Sequence, residues 1–234
     1  MSGITSRVTS PPPSGWIGVV RDRLFVALVA PWILWELGTD LYGHVRAGIA
    51  SFTEGADVLR SLLVLGFYLT IFWALLTRLP PKSRTRAPAV RFAAFAGTFL
   101  PAAIPPLTSP SQDVLLLAIG NGVILAGLAW SLWSLHALRH SFSVVPAGRE
   151  LVTSGPYRYV RHPLYLGELT AAFGLVIGGP TLAALALWSL LAALQLFRAI
   201  HEERLLAATF PEYDDYRSNT GRILPTLHTR RAAC

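Results

Sequence analysis

Cysteine is all but missing from this chain: of 234 residues only one is Cys, and it is the last, Cys234. One thiol cannot build an intrachain disulfide framework. Nor does Cys234 stand fourth from the end, where a prenylation signal requires it. Charge is scarce as well. Charged residues make up 14% of the chain, hydrophobic residues 53%, and mean hydropathy is +0.48. That balance is too apolar for a soluble domain of this length. Acidic residues are the scarcest charged class, 13 against 20 Lys and Arg, which leaves a net charge of +7. The excess is not a nucleic-acid footprint, because the basic residues lie between apolar runs, where the positive-inside rule accounts for them. No Gly-x-Gly-x-x-Gly follows a strand-like run, and no strand is expected anywhere, so a Rossmann-type nucleotide site is excluded. Repeats at a solenoid period are absent too.

What remains is an all-α, polytopic integral membrane protein with about six apolar spans. Residues 1–15 are polar and proline-rich and read as a disordered tail without a cleavable signal sequence. Membrane helices are expected from 16 to 135, a functional core from 136 to 225, and a short tail over 226–234. The first span runs from about Leu24 to Leu37, with an earlier start at Trp16 as the alternative, Pro31 as a tolerated kink and Glu36 and Asp40 at its far end. The second covers about Val58 to Leu76. The third, about Val90 to Leu107, is interrupted by Pro101, Pro105 and Pro106, which break or bend its end. The fourth, about Val114 to Leu138, is long enough to cross with tilt. Leu164 to Ile177 is short for an upright crossing; Gly178-Gly179-Pro180 reverses the chain and Leu182 to Ile200 returns as a full helix, making a hairpin. With both termini cytoplasmic, all of the 20 Lys and Arg except Arg46 and Arg60 fall on the cytoplasmic side. The functional core then faces the cytoplasm from within the membrane.

The densest polar and aromatic stretch is Leu151 to Glu168, LVTSGPYRYVRHPLYLGE. Thr153-Ser154-Gly155-Pro156 is a turn cluster, and Pro163 suits the first turn of a helix. Between them stand Tyr157, Arg158, Tyr159, Arg161 and His162. An interfacial anchor accounts for Tyr157, Arg158 and Tyr159 at headgroup level. It does not account for the ordered spacing Gly155-x-Tyr157-x3-Arg161-His162-Pro163-x-Tyr165. A second cluster lies downstream: Arg198 and Glu202 are four apart on one face of the last long helix, with Glu203 adjacent. As a surface pair they contribute only about 0.2–0.5 kcal/mol; as ionisable groups at membrane depth they are candidates for a functional site.

These two motifs, with Phe210-x-x-Tyr213-x-x-Tyr216 after them, resemble the isoprenylcysteine carboxyl methyltransferase family and its phospholipid-methyltransferase relatives. The resemblance covers about residues 136–225, while the first half matches only as generic membrane helices. It implies S-adenosyl-L-methionine as cofactor, with Leu151, Val152, Gly155, Tyr157, Arg161, His162, Pro163, Tyr165, Glu202 and Glu203 around it. Backbone N–H groups near Gly155 and the side chains of Arg161 or His162 are expected to take the cofactor carboxylate. Tyr157 and Tyr165 would face its adenine or its sulfonium, a cation that an aromatic face attracts. Glu202 and Glu203 would hold the ammonium or ribose. Arg198 and Glu202 are the implied catalytic residues, Arg198 aiming an acceptor carboxylate. No metal is implied.

The expected partner is a lipophilic or lipidated acceptor entering from the surrounding lipid, most readily a prenylcysteine-like carboxylate. Phospholipid amine methylation stays open. So does NADPH-dependent sterol or steroid reduction, although such reductases carry Asn where Leu164 stands here and lack the Glu pair. Other residues carry two readings. His136, Arg139 and His140 either complement a helix dipole or wall the site. Glu168 is a partner for Arg161 or a member of the site. Phe210, Tyr213 and Tyr216 form either a surface helix or a lid.

Overall fold

The computed structural model describes residues 15–49, 52–77, 83–85, 87–104, 107–109, 111–138, 141–142 and 147–225. The expected tails, most of the first and all of the last, lie outside that set, as do Arg139 and His140. The described chain is mostly helical. Helix α1 spans Gly15–Ala47, α2 Phe52–Thr77, α3 Pro88–Phe99, α4 Val114–Leu138, α5 Pro163–Gly178, α6 Leu182–Thr209 and α7 Tyr213–Asn219. Three described stretches have the length and hydropathy to cross a membrane: Glu54–Thr77, Val114–Leu138 and Leu182–Thr209.

Helix α1 runs unbroken through Pro31 for 33 residues. It ends where Gly48 takes φ 87° and its N–H donates to the Val45 carbonyl at 3.2 Å, a left-handed stop that only glycine adopts without strain. Where about six crossings are expected, three stretches among the described residues have the length and hydropathy of a span. Helix α3 is the clearest difference, with 12 residues where a full span is expected. Twelve residues rise only about 18 Å, well short of a hydrocarbon core about 30 Å thick. Pro101 cannot extend the α3 ladder, and the chain tightens into a 3-10 turn over Leu100–Ala103.

Among the described helices the α4–α5 pair is the tightest, and glycine is the reason. A Cβ on Gly120 would lie 2.8 Å from the Gly174 carbonyl oxygen, and one on Gly127 would lie 2.7 Å from that of Gly167. The two helices run antiparallel with backbones in contact, the small-residue packing used where hydrophobic driving force is weak. That contact fixes the depth of the start of α5, which carries Tyr165 and Glu168. The expected hairpin is present: Thr181 caps α6 by accepting from the Ala184 N–H at 3.1 Å, and Trp188 Nε1 donates to the Leu169 carbonyl at 2.9 Å.

Two short strands add to the expected helices. Strand β1 (Ser83–Arg84) pairs antiparallel with β2 (Ala147–Gly148), and Ser83 Oγ lies 2.6 Å from Thr209 Oγ1. The loops after α2 and α4 are thereby fastened to the end of α6. A parallel bridge joins Val160 to Gly221, with the Arg161 N–H donating to the Gly221 carbonyl at 2.8 Å and the His162 N–H to that of Arg222 at 3.0 Å. Loop, hairpin and C-terminal segment converge at one end of the bundle.

Candidate active site

The loop before α5 sorts its side chains by alternation of direction. Gly155 adopts φ 60° and opens a 3-10 turn over Gly155–Arg158, with Pro156 fixing the second position. Tyr157 turns inward, 8% exposed, whereas Arg158 and Tyr159 turn outward. The Arg158 guanidinium lies 5.0 Å over the Tyr159 ring, and Tyr159 leans on Trp133 with ring centroids 6.5 Å apart. The interfacial-anchor reading thus describes Arg158 and Tyr159; Tyr157, Arg161, His162 and Tyr165 face the interior. Pro163 sits fully buried at the first position of α5.

These inward residues border one cavity. Tyr157, Arg161, His162, Tyr165, Arg198 and Glu202 line its polar end, and Ile33, Phe67, Ile71, Phe72 and Leu75 of α1 and α2, which share one hydrophobic cluster, line its apolar end; Leu151 and Val152 also line it. The wall after α4 is built by Leu138, Ser141 and Phe142, while His136 is exposed. Tyr213 and Tyr216 close another side, and Phe210 beside them is 5% exposed, so the aromatic run packs on the core as a wall. Gly155 and Pro163 shape the loop from outside the lining.

The adjacent acids do different work. Glu203 is 5% exposed and accepts from Arg161 Nε at 3.0 Å, Arg222 Nε at 2.9 Å and Arg222 Nη2 at 2.9 Å, with His162 Nε2 at 3.3 Å. It lies behind the cavity wall and holds two of the wall's residues. Glu202 stands on the wall itself and accepts from the Tyr165 hydroxyl at 2.8 Å. Arg161 also donates Nη1 to the Arg217 and Thr220 carbonyls. Both its Nε and Nη1 are thus committed to the fold. The His162 and Tyr165 rings stack in parallel, 5.3 Å between centroids and 3° between planes.

Arg198 is 4% exposed and lies 4.7 Å over the Tyr165 ring. That ring is therefore engaged with a guanidinium and with His162. Nη1 of Arg198 donates to Gln195 Oε1 at 2.8 Å, and Gln195 Nε2 donates to Glu168 Oε2 at 2.6 Å. Glu168 therefore bonds Gln195 rather than Arg161, and it lines the cavity.

Beside this centre the hydroxyls of Tyr157 and Tyr216 stay protonated. Burial pushes the Tyr157 hydroxyl well above its ordinary range, with the Glu202 charge adding to the effect. Burial raises Tyr216 in the same way, and its hydroxyl donates to the Tyr157 carbonyl at 2.6 Å. The hydrogen bond from Arg222 to Glu203 raises Arg222 above its usual value, so it remains a cation. Tyr213, fully buried on the cavity wall, has a hydroxyl without a hydrogen-bond partner among the described residues. An orphaned buried hydroxyl beside an acidic wall fits a ligand carrying polar and cationic groups.

The structure brings together most of the residues singled out from the sequence, from Leu151 to Glu203. Sequence reasoning passed over Arg222, Gln195 and Gly97. Gln195 carried a usable signal, being the lone amide in the apolar run from Leu182 to Phe197.

A helical membrane protein with a cavity polar at one end and apolar at the other is the class these features define. Residues 115–213 match the family described as Phospholipid methyltransferase, a stretch from α4 to the first residue of α7. The cobalt-zinc-cadmium resistance protein CzcN of Cupriavidus metallidurans is 42% identical over 82 residues, covering 35% of this chain and 38% of that protein. The nickel-cobalt-cadmium resistance protein NccN of Alcaligenes xylosoxydans xylosoxydans is 38% identical over 84 residues, 36% of this chain and 39% of its own length. The matched segment thus spans less than two fifths of the curated relatives. The family match takes in the polar end of the cavity and leaves out α1, α2, α3 and Arg222.

Proposed function

We propose that the protein is an S-adenosylmethionine-dependent methyltransferase whose acceptor is lipophilic and enters the cavity from the bilayer, with the reaction centre on the cytoplasmic side. The single observation that carries this reading is the two-ended cavity. Its polar end is built by the segment that matches a methyltransferase family, and its apolar end by helices outside that match. Glu202, His162, Tyr157 and the orphaned Tyr213 hydroxyl are the residues that would hold the cofactor, with Leu151 and Val152 against its apolar faces. Glu203 acts from behind by fixing Arg161 and His162. When bound, the cofactor supplies an electrophilic methyl group on a sulfonium.

The chain's own part is alignment and charge handling. A carboxylate acceptor needs no general base; Arg198 would neutralise it and hold one oxygen in line, since a guanidinium can grip a carboxylate bidentately. A prenylcysteine-like or other isoprenoid acid is the acceptor this favours. The relatives are named for resistance to metals. Among the described residues no group of three or more His, Cys, Asp and Glu gathers as a metal cage does.

The deciding experiment is equilibrium binding to the detergent-purified protein of S-adenosylhomocysteine and, separately, NADPH. It is followed by methyl transfer from labelled adenosylmethionine to a farnesyl-cysteine analogue and to a phospholipid amine. Binding of S-adenosylhomocysteine, with label in the farnesyl product, is expected. NADPH binding alone would make the protein a reductase, and binding of neither would leave it a non-enzymatic membrane protein.

A further inference from the structure

A buried chain of side chains runs behind Arg198 and ends on Glu168. Gln195 and Arg198 lie one turn apart on α6, and Glu168 reaches them from α5. Gln195 is fully buried, with its amide oxygen accepting from Arg198 Nη1 at 2.8 Å and its amide nitrogen donating to Glu168 Oε2 at 2.6 Å. Its two ends meet partners of opposite kind, so the amide fits in one orientation only. Reversing it would face N–H against guanidinium and oxygen against carboxylate. The anchor is the Glu168 carboxyl group at membrane depth, where leaving a buried polar group without a partner is costly.

Helix α3 supplies the remaining wall. A Cβ on Gly97 would lie 3.0 Å from Arg198 Nη1 and 3.3 Å from Gln195 Oε1. A methyl there would require the guanidinium or the Gln195 amide to give way by a few tenths of an ångström. On the α5 side the Tyr165 ring lies 4.7 Å beneath it. Three helices therefore define where the Arg198 fork points, each through one named residue: Gly97, Tyr165 and Gln195.

We infer that Glu168, Gln195 and Gly97 are positioning residues that fix the Arg198 guanidinium in the orientation needed to align an acceptor carboxylate. This rests on the proposed methyl transfer and deepens it. A guanidinium on a long side chain has many rotamers, and a displacement of about 1 Å is enough to lower turnover about 100-fold. None of the three needs to touch cofactor or acceptor to have that effect.

The test compares Gln195→Leu, Glu168→Gln and Gly97→Ala with Arg198→Lys, measuring kcat, S-adenosylhomocysteine affinity and melting temperature for each. Gln195→Leu is expected to lower kcat about 10- to 100-fold and Gly97→Ala, with its smaller displacement, by about several-fold, both with cofactor affinity unchanged. In the double variant Gln195→Leu/Arg198→Lys, turnover should fall little below that of Arg198→Lys alone, because both changes remove one function. Additive losses would overturn the inference, as would wild-type kcat in both Gln195→Leu and Gly97→Ala. If Gln195→Leu fails to fold, Gly97→Ala adds a single methyl and carries the test alone.

A readout independent of turnover is the guanidinium nitrogen-proton spectrum of Arg198. A held fork gives separate Nη proton signals in the wild type, and Gln195→Leu should average them. Averaged signals in the wild type itself would refute the cradle. If the wild type binds no S-adenosylhomocysteine, the methyltransferase reading falls, while these spectra still report on the cradle.

Discussion

Glu203 and Arg222, 19 residues apart, meet in a two-pronged ion pair: Nε donates to Oε1 and Nη2 to Oε2, each at 2.9 Å. Glu203 is 5% exposed and also receives Arg161 and His162, so one carboxylate joins α6, the loop before α5 and the C-terminal segment. Its neighbour Glu202 faces the cavity and has a single hydroxyl donor, Tyr165. Adjacent acids thus separate fold from function.

That separation predicts opposite phenotypes for matched substitutions. Removing one member of a buried ion pair costs about 3–5 kcal/mol. Glu203→Gln should therefore lower the melting temperature by on the order of 10 °C. Glu202→Gln should melt as wild type but bind S-adenosylhomocysteine about 10- to 100-fold more weakly, the cost of one charge-assisted contact. Differential scanning fluorimetry and calorimetric titration in the same detergent measure both. Equal melting temperatures in the two variants would contradict the division of labour.

His162 belongs to both sets, since it touches Glu203 at 3.3 Å and lines the cavity. His162→Ala is expected to lose cofactor affinity by about 10- to 100-fold and to keep most of its stability, because Arg161 and Arg222 still neutralise Glu203. Binding at wild-type affinity would take His162 out of the pocket.

The site was readable from sequence where polar residues crowd a loop, and unreadable where single polar residues sit inside oily helices. Arg161, His162, Tyr165 and Glu202 announce themselves by density in an otherwise apolar chain. Gly97 has no such signal: its role depends on α3 meeting α6, a long-range contact that no local pattern encodes. Arg222 lies beyond the aromatic run, and only the Val160–Gly221 bridge brings it back to Glu203. For the fold, hydropathy located the long helices and the Gly-Gly-Pro reversal. It overstated the third span, because apolar composition does not reveal that Pro101 ends α3 at Phe99.

The α4–α5 contact gives a stability prediction with an internal control. On Gly127 a Cβ would meet backbone atoms of Gly167 and Ala171 closer than side chains ever approach, whereas on Gly122 it would meet nothing within 4 Å. Gly127→Ala should therefore force the helices apart and cost about 1–3 kcal/mol, as overpacking does. Gly122→Ala should be neutral or stabilising by up to about 1 kcal/mol through helix propensity. Thermal melts of both variants decide it. Equal stabilities would mean that the helices are less close than the backbone contact implies.

The distribution of basic residues predicts which way α2 crosses. A reporter inserted after Lys82 should read cytoplasmic, and one between Gly48 and Gly55 external, since of all Lys and Arg only Arg46 and Arg60 are assigned to the outer side. Protease protection on sealed vesicles gives the same comparison. If both positions report one side, α2 does not span and the orientation of the reaction centre must be redrawn.

Arg198 provides the sharpest division between binding and chemistry. The residue is 4% exposed, its guanidinium lies over the Tyr165 ring, and it lines the cavity with Glu202 and Tyr165. Lysine would keep the charge but lose the planar fork, the second parallel hydrogen bond and the stacking on Tyr165. Arg198→Lys is therefore expected to lower methyl transfer to a farnesyl-cysteine analogue by about 100-fold or more, with little change in S-adenosylhomocysteine affinity. Single-turnover rates and calorimetry on one preparation separate the two quantities. A parallel fall in rate and affinity would move Arg198 into the cofactor pocket. No fall in either would make it a buried structural cation, and the acceptor carboxylate would then need another partner.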